Sequence, residues 1–336
     1  MLAEIIEQIE SGSSLTQEKM ADTIDLIMLG ACAEDNIRTF LLALVAKGET
    51  VAEIAGAAAA MRKHMTILES SRDDLVDTCG TGGDGSGTFN ISTAAAIVAA
   101  GSGIAVAKHG NRSITSKTGS ADVLSELGVN IEASVDTMQK SLEEAGICFC
   151  FAPLFHPAMR HVGSVRRSIK VPTIFNLLGP LCNPASAPYQ LLGVGKPALR
   201  TRLSAALALL ETKRAFIVCG EDGLDEITLE GTTLVTEVID STTKELKWSP
   251  TDFGLASQSL ARMNVENPTE SAACIMNTLH GAHGSSRDIV VINAAAAISL
   301  ARPHLSLHEC ANQAVEAIDS GAALKSLKQF SKITQS

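Results

Sequence analysis

The chain has 336 residues, 46% of them apolar (A, V, I, L, M, F, W, Y, C) and 19% charged, which excludes global disorder and leaves room for about two domains. Lys and Arg number 27 against 37 Asp and Glu, and the formal charge of −10 argues against broad binding to nucleic acid or an anionic membrane, while permitting a local basic site. A fold of this size buries roughly three quarters of its extended-chain surface without a disulfide or zinc staple, and its eight cysteines, none in a CxxC pair, read as free thiols in a reducing cytoplasm.

The amino terminus, MLAEIIEQIE, is acidic and amphipathic with no basic region or cleavage pattern, so no export signal is expected. No apolar run approaches the roughly 18 residues of a membrane span; Ala94–Ala107 comes nearest and is interrupted by Gly101, Ser102 and Gly103. To about residue 70 the pattern is helical. Ile37, Phe40, Leu41, Leu44 and Val45 share one helix face, Gly48 ends that helix, and Thr50-Val51-Ala52-Glu53 opens the next with a capping-box pattern. Beyond it, short apolar runs alternate with helical segments: Leu75–Cys79, Asn90–Ala100, Ile104–Ala107, Ala121–Leu127, Val135–Ala145 and Ile147–Phe151. The rhythm returns at Gln190–Val194, Ala198–Leu210 and Ala215–Cys219, and Asn267-Pro268-Thr269-Glu270 and Ser306-Leu307-His308-Glu309 read as further helix starts.

Residues 152–188 hold six of the ten prolines together with Arg160, Arg166, Arg167 and Lys170, so they form an inter-domain crossing, part of a site, or both. The expected fold is α/β. A small all-helical amino-terminal domain (1–70), joined by part of 152–188, precedes a larger domain (71–336) with a mostly parallel central sheet flanked by helices.

Three segments look chemical. The run Cys79-Gly80-Thr81-Gly82-Gly83-Asp84-Gly85-Ser86-Gly87-Thr88-Phe89-Asn90-Ile91-Ser92-Thr93 lies between a predicted strand and a helix, with five glycines in eight positions. Backbone N–H groups there can approach an anion unobstructed, the hydroxyls and Asn90 add neutral donors, and the helix presents its positive end. A mere turn needs no such run of hydroxyls, so a phosphate cradle is the better reading; the run lacks the Gly-Lys-Ser/Thr ending of a Walker A and does not match GxGxxG with a distal ribose acid, so no nucleotide is implied. Lys108-His109-Gly110-Asn111-Arg112-Ser113-Ile114-Thr115-Ser116-Lys117 begins where the Ile104–Ala107 strand ends, and its cations and hydroxyls suit a pyrophosphate or phosphosugar, or else a solvated surface. His109 taken alone is more often structural, and no proton transfer is assigned to it. Gly220-Glu221-Asp222-Gly223-Leu224-Asp225-Glu226 follows a third strand; such a loop is a solvated turn in isolation, but beside two phosphate loops Asp225 and Glu226 become candidate Mg²⁺ ligands.

At these residues the sequence resembles the anthranilate phosphoribosyltransferase family. The likeness covers nearly the whole chain through Gly80–Thr93, KHGNRSITSKTGSADVLSEL (108–127), FAPLFHPAMRHVGSVRRSIKVPTIFNLLGPLCNPA (151–185) and Asp225-Glu226. It implies transfer of the phosphoribosyl group of 5-phosphoribosyl 1-pyrophosphate (PRPP) to anthranilate, a step of tryptophan biosynthesis. It further implies that Gly80, Gly83, Asp84, Thr88, Asn90, Ile91, Ser92, Thr93, Lys108, His109, Gly110, Asn111, Arg112, Ser113, Ile114, Thr115 and Ser116 hold PRPP, with Ser120 at the edge. Ser92, Asp225 and Glu226 match magnesium positions, and Gly80, Asn111 and Arg166 match anthranilate contacts. No residue is assigned covalent or acid–base catalysis; Lys108, Asn111 and Arg166 are expected to act by electrostatic positioning.

The chain departs from the family at Pro172, where Arg is common, and at Thr115, where Ser is common. The resemblance also implies a cytoplasmic homodimer joined through the helical domain, with small-molecule substrates and neither nucleic acid nor membrane as partner. An association with an anthranilate synthase glutaminase subunit is not written in the residues. The competing readings are a pyrimidine nucleoside phosphorylase of the same fold, against which the LGPLCNPA run weighs, and a non-catalytic nucleic-acid-binding relative, against which the negative charge weighs.

Overall fold

A computed structural model describes residues 2–113, 117–261 and 263–336. In α1 (Leu2–Glu10), the apolar positions Leu2, Ile5, Ile6 and Ile9 form one buried stripe. α2 (Gln17–Met28) starts at Thr16, whose hydroxyl accepts the Lys19 N–H; α3 (Glu34–Lys47) stops at Gly48; α4 (Val51–Lys63) opens with the expected Thr50–Glu53 capping box. Glu53 does more than cap. It is fully buried, accepts the Leu15 N–H at 2.9 Å and pairs with Lys47 at 2.9 Å, so one carboxylate ties three helix ends together.

The alternating region folds as β1 (Val76–Gly80), α5 (Ile91–Gly101), β2 (Val106–Gly110), α6 (Ser120–Glu126), α7 (Val135–Ala145) and β3 (Ile147–Phe151). The proline-rich stretch holds only short helices, α8 (Ala152–Phe155), α9 (Arg160–Ser168) and α10 (Phe175–Leu178). Then come β4 (Tyr189–Gly193), α11 (Pro197–Leu209), β5 (Arg214–Gly220), β6 (Thr233–Ile239) and β7 (Thr242–Trp248). The carboxyl-terminal part is helical, as expected: α12 (Pro268–Leu279), capped by Asn267, α13 (Ser285–Ala301), α14 (Leu307–Asp319), with its Ser306–Glu309 capping box, and α15 (Ala322–Gln335).

Among the described residues the sheet has seven strands in the order β3-β2-β1-β4-β5-β6-β7. The first five are parallel, and β6 and β7 add an antiparallel hairpin. The sequence pattern did not announce this hairpin. Its two-residue turn is Asp240-Ser241, both at positive φ (+44° and +69°), not one of the strong Asn-Gly or Asp-Gly signals, and β7 is largely exposed.

Side-chain alternation divides the core between the two faces of the sheet. Leu191, Phe216 and Val218 pack with α5 and α13, helices that are buried almost all round. Leu192, Ala215, Ile217 and Cys219 point the other way, into an apolar cluster that runs through α11 and α9 to α1–α4. The amino-terminal helices thus share a core with one sheet face. All eight cysteines are free, and no helix among the described residues is long and apolar enough to cross a membrane.

α4 crosses α2 at Gly56, where an added Cβ would lie 2.2 Å from the Gln17 carbonyl oxygen. Gly56→Ala gains up to about 1 kcal/mol of helix propensity, but overpacking costs about 1–3 kcal/mol. The variant is therefore expected to melt below the wild type in calorimetry; an equal or higher melting temperature would show that α2 and α4 separate freely.

Candidate active site

The chain runs outward from β1 to β2 and β3 and then returns to β4 on the other side of β1. Open α/β sheets place ligand crevices at such a switch point, beyond the strands' carboxyl ends. The glycine loop leaves β1 there. Thr81 N–H donates to the Gly193 carbonyl at 2.9 Å and Gly82 N–H to Asp225 Oδ2 at 3.1 Å. Gly82, Gly83, Gly85 and Gly87 adopt φ between +64° and +78°, the left-handed region that a Cβ disfavours.

The far end of the loop is strapped by a backbone bridge: Phe89 N–H to Met263 O at 3.0 Å, and Val265 N–H to Gly87 O at 2.9 Å. Thr88 lies on this bridge, with its hydroxyl 3.2 Å from that of Ser86. Asn90 then caps α5, its Oδ1 accepting the Thr93 N–H at 3.1 Å while Nδ2 donates to the Thr118 carbonyl at 3.1 Å. The two phosphate-favouring segments are joined through this one side chain. The Ile91 and Thr93 side chains are buried, so these two offer a ligand only main-chain groups at the helix amino end.

Lys108 is buried in the middle of β2, and its ammonium donates to the Thr78 carbonyl and to the Ser92 hydroxyl, the latter at 3.3 Å. His109 Nδ1 meets the Gly179 carbonyl at 2.9 Å, and its Nε2 lies 3.2 Å from His156 Nε2. Burial pushes His109 down to about 4 and His156 to about 3, so both imidazoles are neutral at pH 7. Gly110 leaves room for Ser120, since a Cβ there would sit 2.2 Å from Ser120 Oγ. Asn111 and Arg112 are exposed, but Arg112 is turned toward Asp122, at 3.1 Å, which also accepts the Ser113 N–H at 3.0 Å. Ile114, Thr115 and Ser116 lie outside the described residues.

The acidic loop after β5 divides its carboxylates. Asp222 folds back on its own turn, accepting the Leu224 N–H at 3.0 Å. Asp225 and Glu226 turn toward Asp84 of the glycine loop, and one oxygen from each of the three lies within 4.8 Å of the others. Asp84 Oδ2 and Glu226 Oε2 are buried without hydrogen-bond partners. Burial, reinforced by Asp84, raises Asp225 to about 6; burial and then Asp225 raise Glu226 well above the usual carboxylate range. Carboxylate oxygens brought together and left unsatisfied are the donor set of a hard divalent cation, and Ser92 lines the same small cavity.

Sequence reasoning treated Asp84 only as a substrate contact, and it overlooked what holds this cluster. A Cβ at Gly193 would come within 1.6 Å of the Asp225 carbonyl oxygen, and one at Gly195 within 3.0 Å of Asp84 Cα. Asn293, alone in the apolar α13, clamps Ile227 next to the pair by accepting its N–H at 3.0 Å and donating to its carbonyl at 3.0 Å. The Leu192-Gly193-Val194-Gly195 run after a strand and the lone amide within IVVINAAAAI were the available signals.

Arg166 stands apart from these contacts, on α9. Its guanidinium lies 5.6 Å over the Phe175 ring, burial lowers its pKa, and no carboxylate among the described residues forms an ion pair with it.

The helical bundle domain of a glycosyl transferase family matches residues 3–65, and the a/b domain of the glycosyl transferase family matches residues 72–324. An anthranilate phosphoribosyltransferase of Rhodopirellula baltica is 51% identical over 330 residues, 98% of this chain and 96% of that protein. The crystal structure of the Thermus thermophilus anthranilate phosphoribosyltransferase aligns with a TM-score of 0.92 at 38% identity, covering 98% of this chain and 99% of that one. The Saccharomyces cerevisiae enzyme in complex with PRPP and Mg aligns with a TM-score of 0.91 at 31% identity, covering 99% and 98%.

Three converging carboxylates destabilise the metal-free fold through like-charge repulsion. Asp225→Asn keeps an acceptor for the Gly82 N–H and removes one charge. In metal-free buffer its melting temperature is expected to rise by about 1–4 °C, a gain of about 1 kcal/mol, while the stabilisation that Mg²⁺ gives the wild type is lost. A lower melting temperature without metal would show that the three carboxylates do not repel.

Proposed function

The chain belongs to the anthranilate phosphoribosyltransferase family, and from that premise we infer that it transfers the 5-phosphoribosyl group of PRPP to the amine of anthranilate. The products are N-(5-phosphoribosyl)anthranilate and pyrophosphate, and the step belongs to L-tryptophan biosynthesis. One observation carries the reading at the level of chemistry: the glycine loop, the buried Lys108 and the Asp84–Asp225–Glu226 cluster meet at one rim of the sheet. Magnesium, when bound, neutralises the charge of the diphosphate and so makes pyrophosphate a better leaving group. Asp225, Glu226 and the Ser92 hydroxyl would hold it, with Asp84 as a further oxygen ligand.

The protein's own part is then positioning and electrostatics. Glycine-loop N–H groups not already engaged within the protein and the amino end of α5 would cradle the diphosphate, with the Lys108 ammonium beside Ser92. As the C1–O bond stretches, these groups stabilise the charge that builds on the departing pyrophosphate, and the ribosyl carbon acquires oxocarbenium character. Gly80, Gly83, Asp84, Thr88, Asn90–Thr93, Lys108–Ser113 and Ser120 fit the PRPP side of the site. The guanidinium of Arg166, which forms no ion pair among the described residues, suits the carboxylate of anthranilate, with Asn111 and Gly80 as the acceptor's other contacts. The aromatic amine is neutral at pH 7, so its attack on C1 needs no strong base, and the proton released as the C–N bond forms can pass to the departing pyrophosphate or to solvent.

Water would hydrolyse PRPP, which favours closure of a helical domain (1–70 with part of 152–188) over the α/β domain (71–336) around bound substrate. A homodimer joined through the helical domain and a cytoplasmic location complete the reading.

Loss of anthranilate fluorescence on adding PRPP and Mg²⁺ together, and not with either alone, is the expected result. Release of free base from thymidine and phosphate, with no consumption of anthranilate, would overturn the assignment. Arg166→Ala is expected to raise the anthranilate KM by about tenfold or more, the worth of one charge-assisted contact, and to leave the PRPP KM nearly unchanged. Equal effects on both constants would remove Arg166 from the acceptor side.

A further inference from the structure

Asp77, in the middle of β1, is a fully buried carboxylate for which the reaction described above has no task. It sits where the sheet splits. β1 and β2 share one register pair, Val76↔Val106, whereas β1 with β4, β2 with β3 and β4 with β5 each share five. In the gap, Asp77 Oδ1 accepts the main-chain N–H of His109 at 3.0 Å, and Oδ2 accepts Gln190 Nε2 at 3.2 Å.

Gln190, on β4, shares the same amide nitrogen with the Pro180 carbonyl, at 2.5 Å. The flanking turn is held just as closely: the Gly179 carbonyl by His109 Nδ1 at 2.9 Å, the Leu181 carbonyl by Arg62 Nε at 2.7 Å, and the Ala107 carbonyl by Asn183 Nδ2 at 2.8 Å. The GPLCNP run is therefore a turn docked at once on β2, β4 and α4, with Asp77 behind it.

Two lines lead outward from this carboxylate. Through the His109 main chain, one residue intervenes before Asn111. Through Gln190 and Pro180 the path enters α10, which ends at Leu178 next to Gly179 and carries the Phe175 ring beneath Arg166. Asn111 and Arg166 are the two side chains assigned to anthranilate, and they come from different elements, the segment after β2 and α9. We propose that Asp77 is a positioning residue for phosphoribosyl transfer: by fixing His109 and, through Gln190, the Gly179–Asn183 turn, it holds the two halves of the anthranilate site in register. This rests on the assignment of Asn111 and Arg166 given above.

The position demands an acceptor at both oxygens. An amide satisfies one donor and turns its own NH₂ onto the other. Asp77→Asn therefore conserves volume but forces Gln190 to rotate away from Pro180, or His109 to lose its partner.

Initial rates with both substrates varied, together with thermal melting, test the proposal in Asp77→Asn, Gln190→Leu and the double variant. Asp77→Asn is expected to raise the anthranilate KM by about tenfold or more, as misplacement of a binding group does, and the PRPP KM by several-fold less, because only its His109 line reaches the PRPP side. Gln190→Leu shifts the same constant in the same direction, and the double variant is no worse than Asp77→Asn alone, because one network is broken once. A parallel loss on both substrates, wild-type kinetics, or additive effects would overturn it. If Asp77→Asn does not fold, Gln190→Leu decides by the same split. A wild type that consumes no anthranilate would overturn the reaction assignment and this proposal with it, whereas an active wild type with substrate-blind variants overturns the role of Asp77 alone.

Discussion

Everything at the rim of this sheet depends on keeping Asp84, Asp225 and Glu226 together against their mutual repulsion. Side chains alone cannot do this, because a carboxylate on a loose loop swings to solvent. The backbone does it instead. The carbonyl of Asp225 lies where Gly193 has no side chain, the Ile227 peptide is gripped on both sides by Asn293, and the Gly82 N–H reaches across to Asp225 Oδ2. Ile227 and Leu229 are fully buried, so moving the loop would pull apolar surface out of the core. Hydrophobic burial beneath the loop thus offsets the charge repulsion above it, a cost the fold bears for function.

The same logic separates the fixed charges from the neutral groups. Lys108 is buried with its ammonium donating to Thr78 and Ser92; burial pulls its pKa down, and the nearby carboxylates of Asp77, Glu226 and Asp225 oppose that pull. Burial keeps the imidazoles of His109 and His156 uncharged, with a carbonyl and each other as partners. The two imidazoles therefore offer no titrating base, and the charge that titrates lies in the Asp225–Glu226 pair, which a bound divalent cation would hold ionised. That suits a reaction in which the leaving group is good once neutralised and the nucleophile is already neutral.

Much of this was legible in the residues, and the reasons are local. The capping boxes at Thr50 and Ser306, the stop at Gly48 and the strand–loop–helix order around residues 76–101 depend on neighbours within a few positions, which sequence displays directly. The glycine loop was legible because positive φ at several positions leaves few other residue choices. What escaped notice depends on partners far apart in the chain. Asp77 and Gln190 meet across 113 positions, Asp84 joins Asp225 only in the fold, and the core shared by α1–α4 with β4 and β5 is invisible until the sheet faces are known. Asp222 and Asp225 look alike in the sequence; only the turn at Leu224 sends one back on itself and the other toward the site.

The two phosphate-favouring loops are also held with unequal strength. The glycine loop is clamped at one end by the Asp225 contact and at the other by backbone pairs to Met263 and Val265, bonds that neither salt nor side-chain rotation loosens. The segment after β2 is tied at Asn90–Thr118 and at Lys117–Glu266, the latter an ion pair of 2.7 Å between two exposed side chains. Exposed pairs of this kind contribute only about 0–1 kcal/mol and weaken with ionic strength. The two anchors therefore differ in kind: the glycine loop is fixed by main-chain hydrogen bonds and the Asp225 carboxylate, whereas the described residues after β2 rest partly on an exposed ion pair.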